Sequence, residues 1–203
     1  MMHQLRGDLI NVEYGRVSKE CEEHGLYEVA GWAAQFSGWF DFWRGERTEG
    51  IAKMTEAIEK LNALNSFIMS PWRLIQLGEM KAEIGEIHSA QILVEQALEK
   101  LNLSGEGWYL PEVYRVAAKV VLCNSSTDPN LAERHLRHAI DLARNQDTKL
   151  WELRATVSLA RLLRDTNRRD EARAMLADIY NWFTEGFDIA DLKDAKAMLD
   201  ELN

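Results

Sequence analysis

Apolar residues recur along this chain three and four positions apart, which is the spacing of one face of a helix. The pattern is broken at short polar intervals rich in Gly, Asn, Asp and Ser. It predicts helices over 4–24, 27–44, 48–65, 70–84, 87–103, 110–124, 129–146, 149–166, 169–184 and 189–202. The expected fold class is all-α. Proline is found only at 71, 111 and 129. That scarcity leaves the helices uninterrupted, because proline inside a helix removes a donor and clashes with the preceding turn. Asp128-Pro129 reads as a helix start, with Asp as N-cap and Pro at the first helical position. The intervals RGERTEG, IGEIHSA, NSSTDPN and DTNRRDEA read as turns between paired helices.

The helices repeat. Residues 50–65 (GIAKMTEAIEKLNALN), 90–105 (AQILVEQALEKLNLSG) and 132–147 (AERHLRHAIDLARNQD) each begin with a small residue and carry Ala seven positions later. The pairs are Gly50 and Ala57, Ala90 and Ala97, Ala132 and Ala139. A fourth copy begins at Ala172, with Ile179 in place of the second alanine. The small residues at 50, 90, 132 and 172 stand 40, 42 and 40 apart. Gly38, Gly78 and Ala160 precede three of them by twelve. A small residue on each of two helices lets their backbones approach. One hairpin cannot bury its apolar faces alone, so neighbours stack. The expected organisation is a single repeat domain over 1–203. It comprises a half-repeat at 4–24, repeats at 27–65, 70–103, 110–146 and 149–184, and a capping helix at 189–202.

On these residues the chain resembles tetratricopeptide repeats. In that family small residues recur near repeat positions 8, 20 and 27, matched here by Gly38, Gly50 and Ala57 and by Gly78, Ala90 and Ala97. The period here is about 40 rather than the family's 34. The resemblance implies a right-handed α-α superhelix of helical hairpins. A further likeness rests on WELRA at 151–155, LARL at 159–162 and WFTEGFDIADLKDAKAML at 182–199. These segments resemble the carboxy-terminal repeat region of bacterial signalling proteins that join an adenylate/guanylate cyclase-like domain to an ATPase. That likeness implies a regulatory role. It also implies a carboxy-terminal fragment, or a short protein descended from one, since 4–24 looks like a second helix without its first.

The stretch GWAAQFSGWFDFWRG at 31–45 poses the sharpest question. On a helix Trp32, Phe36, Trp39, Phe40 and Trp43 form one stripe. Such a stripe reads either as core between hairpins or as a groove. With Gly38 as repeat position 8, the family register puts Trp32, Gln35, Trp39, Phe42 and Trp43 on the groove side. The same register puts Trp72, Glu79 and Glu83 there in the next repeat, then Arg115 and Lys119, then Arg154, Arg161 and Arg164. The expected groove is aromatic toward the N-terminus and basic toward the C-terminus. It suits a protein or peptide partner, and an acidic one in particular, through Arg–carboxylate bonds. The other reading of the arginines is a solvated helix face with intrahelical pairs such as Arg161–Asp165. A small-molecule effector in an enclosed groove is a further alternative. So is a homodimer formed on the apolar end around Leu9, Val12 and Val17.

Composition narrows the rest. The formal net charge of −9 repels phosphate backbones, so no nucleic-acid partner is expected. No run of 18 uncharged apolar residues occurs, so no membrane span is expected, nor is a signal peptide. The expected location is the cytoplasm. Cys21 and Cys123 read as free thiols. His135 and His138 stand three apart without the pattern of a zinc site, and no cofactor or metal is expected. Neither a nucleophile elbow nor a glycine-rich phosphate loop is present, and the expected role is not enzymatic.

Overall fold

The structure is a computed structural model. It describes residues 2–104, 107–123 and 129–203, apart from the side chains of 2–12 and 102–104. Within these residues the chain is all-helical. The helices are α1 (Met2–Glu23), α2 (Tyr27–Arg44), α3 (Arg47–Ala63), α4 (Ser70–Glu83), α5 (Ile87–Ser104), α6 (Leu110–Cys123), α7 (Pro129–Asn145), α8 (Lys149–Asp165), α9 (Arg169–Tyr180) and α10 (Ala190–Leu202). The largest departure from the predicted bounds is at α9. It stops at Tyr180, four residues early, where the apolar spacing runs on through Trp182 and Phe183 into a turn. Asp128, the expected N-cap, lies outside the described residues, and Pro129 opens α7. The chain divides into two compact units, Met1–Ser104 and Gly105–Asn203.

Six of the helices end in the same way. The residue after the last turn is left-handed: Gly25, Gly45, Asn65, Gly85, Asp147 and Asn167. After α2, Gly45 N–H donates to the Phe42 carbonyl and Glu46 N–H to the Asp41 carbonyl, at 3.1 and 2.9 Å. These bonds satisfy carbonyls that the helix leaves unpaired and reverse the chain within a few residues. The polar intervals in the sequence therefore act as stops and turns.

In the first unit α1 packs on α2, α2 on α3, α3 on α4 and α4 on α5, and α2 also touches α4. The α2–α3 crossing is a contact of backbone on backbone. A methyl on Gly38 would lie 2.8 Å from the Gly50 carbonyl oxygen and from Met54 N. A methyl on Gly50 would lie 2.5 Å from Phe42 N. The interior beside this crossing is Phe42, Met54, Ile58, Leu77 and Met80. The α4–α5 crossing is looser. A methyl on Gly78 would meet the Ala90 oxygen and Leu93 Cβ at 3.5 Å, an ordinary contact. Arg73 is 1% exposed and ties down the α3–α4 turn. Its guanidinium donates to the carbonyls of Ile68 and Ser66 at 2.5 and 2.7 Å.

In the second unit α6 packs on α7, α7 on α8 and α8 on α9, while α8 also touches α6 and α10. Ala132, Ala139 and Ala172 are fully buried at these crossings. α10 lays Leu192, Ala195, Met198 and Leu202 on α8 and α9 and leaves its other side polar. A single apolar stripe is what a terminal helix needs to cover its neighbours and still face water.

Candidate functional site

The α2 aromatics separate once the helix is packed. Phe42 is buried at 2% exposure, beside the Gly50 crossing. Phe36 and Phe40 turn to α1, where each stacks on Tyr14, at 5.3 and 5.9 Å between ring centroids. Trp39 is half-buried against the interior. Trp43 is 44% exposed and lies 6.2 Å from Trp39, ring to ring. The two readings of the stripe therefore divide between its residues. Gln35 belongs to the interior. It is 3% exposed and donates from Nε2 to Gln76 Oε1 on α4 at 2.9 Å. Trp32 and Trp72 are half-buried on α2 and α4. Trp32 also lines an apolar hollow of about 400 Å³ with Tyr14, Val17, Val29 and Phe36. The Leu9 and Val12 side chains lie outside the described residues.

The basic residues converge on α6 and α8 of the second unit. Arg115, Lys119 and Arg161 line a hollow of about 560 Å³. Ala118, Leu122, Leu136 and Leu162 line its apolar side, with Ser158 and Thr166 among its polar groups. Arg115, Ser158 and Arg161 also line a neighbouring hollow of about 150 Å³, together with Arg154, Asp191 and Asp194. Arg164 lines neither hollow.

The α8 arginines do not form a bare basic row. Arg154 Nε donates to Asp191 at 2.9 Å, Arg161 Nη2 to Asp194 at 2.5 Å and Arg164 Nη1 to Glu201 at 2.5 Å. The partners rise together in sequence, so α8 and α10 run parallel and the three pairs form a ladder. The intrahelical pair Arg161–Asp165 does not form, because Arg164 Nε takes Asp165 at 2.9 Å. The acids of α10 had no place in the groove register, which stops at the last hairpin. The acids and the arginines span the same ten residues, 191–201 and 154–164, and the length of the arginine side chain takes up the unequal middle step.

Among the described residues three carboxylates are buried: Asp41, which accepts Lys53 Nζ at 2.7 Å, Glu112 and Glu152. Glu112, 5% exposed, accepts Arg115 Nε and Nη2, both at 2.8 Å, and Arg154 Nη1 at 3.4 Å. It fixes Arg115 at the wall of the hollow. Glu152, 3% exposed, accepts Arg144 Nε at 2.7 Å and Lys149 Nζ at 2.9 Å. Burial pushes the Glu152 carboxyl up, but the bonds from Lys149 and Arg144 outweigh it and hold its pKa below the ordinary value. Glu112 had a signal, an acid in a first helical turn with Arg three residues on. Glu152 had the same cue in Lys149.

His135 and His138 pack on the Tyr114 ring, at 5.8 and 4.4 Å between centroids. Burial, then the charges of Arg134 and His138, hold the His135 pKa below the ordinary histidine value. No group of three or more potential metal ligands occurs among the described residues. No helix among them is long and apolar enough to cross a membrane. No protein-family model matches this chain, and no curated protein matches it.

Proposed function

We propose that this chain is a non-catalytic protein–protein interaction and regulatory module. Its hairpins stack at a period of about 40 residues in a right-handed, tetratricopeptide-like superhelix. It acts as the carboxy-terminal part of a bacterial signalling protein, or as a descendant of one. Support for the stacking comes from the small residues buried at 57, 90, 97, 132, 139 and 172, and from the one-sided helix α10. The observation that carries the binding role is Trp43, exposed on α2 and backed by half-buried Trp39. Tryptophan is among the residues enriched at interface hot spots, and this one keeps 44% of its surface exposed. The partner's anchor lies along Trp39 and Trp43. The ladder of α10 acids opposite Arg154, Arg161 and Arg164 takes away the earlier reason to favour an acidic partner.

A photo-crosslinking aromatic residue at position 43, with one at exposed position 173 on α9 as control, tests this in the host cell. A discrete protein adduct at 43 and not at 173 is expected. No adduct at 43, or the same adducts at both, overturns the reading. A second reading, self-association, draws on the apolar hollow of Tyr14, Val17, Trp32 and Phe36. It predicts a 43-linked adduct of twice the chain mass and a concentration-dependent mass by light scattering.

A further inference from the structure

One corner of the second unit gathers exposed apolar groups that neither the core nor the Trp43 surface uses. Trp182, Phe187 and Ile189, in the connector between α9 and α10, are exposed, and so is Leu150 at the start of α8. The connector is a hydrogen-bonded turn. Trp182 N–H donates to the Ile179 carbonyl at 3.2 Å, and Ile189 N–H donates to the carbonyl of left-handed Gly186 at 3.0 Å. Two rings packed on the core seat the outer ones. Phe183 meets Trp182 edge to face at 5.1 Å, and Tyr180 meets Phe187 at 5.8 Å. Trp182 is 58% exposed and Phe187 46%. Lys149 Nζ, at the start of α8, lies 5.9 Å from the centre of the Trp182 ring and is bonded to Glu152 at 2.9 Å. Three exposed carboxylates accompany these groups: Asp147 in the α7–α8 turn, then Glu185 and Asp188 to either side of Gly186 and Phe187. None of the three makes a side-chain hydrogen bond or ion pair among the described residues. Clustered apolar groups with a charged border are the mark of an interaction surface.

We propose that this corner docks a basic amphipathic segment of another protein, with apolar side chains on one face and Lys or Arg beside them. The apolar face covers Trp182, Phe187, Ile189 and Leu150, and the cations meet Asp147, Glu185 and Asp188 at the border. Charge complementarity decides the sign of the partner. A second copy of the chain would set the same carboxylates against each other across a two-fold axis. An anionic bilayer would be repelled by them and by the formal net charge of −9. The surface lies in the other unit from Trp43 and does not depend on a partner there.

The probe is a short, labelled amphipathic helical peptide of Leu and Lys, titrated with the full chain in physiological salt and followed by fluorescence anisotropy. The same peptide with Glu for every Lys is the charge control. The Leu/Lys peptide is expected to bind one to one, and the Leu/Glu peptide to show no binding. Trp182→Ser and Phe187→Ser each weaken binding about tenfold or more, the effect of truncating an interface anchor. Glu185→Gln combined with Asp188→Asn weakens it several-fold and flattens its salt dependence. Glu95→Gln combined with Glu99→Gln removes the same charge from exposed positions of α5 and leaves binding unchanged, as does Trp43→Ser. The substituted side chains are exposed, and an unchanged helical circular-dichroism spectrum shows that each variant is folded. The proposal is overturned by no binding of the Leu/Lys peptide, by equal binding of the Leu/Glu peptide, or by affinity that survives both Trp182→Ser and Phe187→Ser. An equal loss in the α5 variant overturns it as well, because the attraction is then one of net charge alone. Partition of the wild type onto phosphatidylcholine vesicles, or a dimer by light scattering, that Trp182→Ser abolishes gives the corner to a bilayer or to a second copy and also overturns it.

Discussion

The two units hold their helices together by different means. In the first, α2 and α3 touch through bare backbone at Gly38 and Gly50, and α2 meets α4 through the neutral amide pair Gln35–Gln76. In the second, alanines stand at the crossings. Charge links the outer faces, through Glu112, Glu152 and the α8–α10 ladder. The first adds close backbone contact to charge, since buried Asp41 of α2 also accepts Lys53 Nζ of α3 at 2.7 Å. The second rests on ion pairs, which depend on pH and are cheap to exchange at the surface.

The largest effect expected is at Gly38. Gly38→Ala places a methyl against immovable backbone, and overpacking of that kind costs about 3 kcal/mol or more. Gly78→Ala, at the corresponding place in the looser α4–α5 crossing, finds ordinary contact distances. It gains up to about 1 kcal/mol of helix propensity. Chemical unfolding of both variants checks the pair. Opposite signs sharpen the difference between the two crossings, and two equal losses break it.

The next effect belongs to Glu152 in the second unit. Glu152→Leu removes the acceptor of Arg144 and Lys149 and is expected to cost about 1.5–3 kcal/mol. The pH dependence has a definite sign. Glu152, Glu133 and Glu171 all have folded pKa values below the ordinary one. For Glu133 burial raises the pKa, but the bonds from Arg168 and Arg137 win. For Glu171 the bond from Arg137 leads, then that from Arg168. The unfolded state then binds protons first as pH falls. The stability these acids contribute is complete above the unfolded value of about 4.5 and is lost below it, through the folded pKa. Hydrogen exchange across an acid titration is expected to show the amides of α7–α9 losing protection in that range. An exchange pattern there that does not change with pH contradicts the charge-linked account. The smallest effect is Arg164→Gln, within about 1 kcal/mol of wild type, since exposed pairs contribute little.

Helices and turns were legible in the sequence because both depend on local chemistry: a three-to-four apolar spacing, and Gly, Asn or Asp at the left-handed stop. The small residues were legible as crossing points, yet Gly38 and Gly78 look alike in sequence and differ by 0.7 Å in the room beside them. That room depends on how closely the partner helix approaches, which is a tertiary quantity. The register drew Arg115, Lys119 and Arg161 to one hollow. It placed Gln35 in a groove because it counts positions along one helix, and the second glutamine that claims it, Gln76, lies on another. Arg73 carried no cue, as its acceptors are backbone carbonyls in a turn.

Helix α2 changes from interior to surface between adjacent aromatic residues, Phe42 and Trp43. Chemical unfolding of Phe42→Ala and Trp43→Ala beside the wild type tests it directly. The account predicts a loss of about 3–5 kcal/mol for Phe42→Ala, as for a buried aromatic, and about 1 kcal/mol for Trp43→Ala. A Trp43→Ala loss equal to that of Phe42→Ala would mean that Trp43 is core, and no recognition surface would remain on α2.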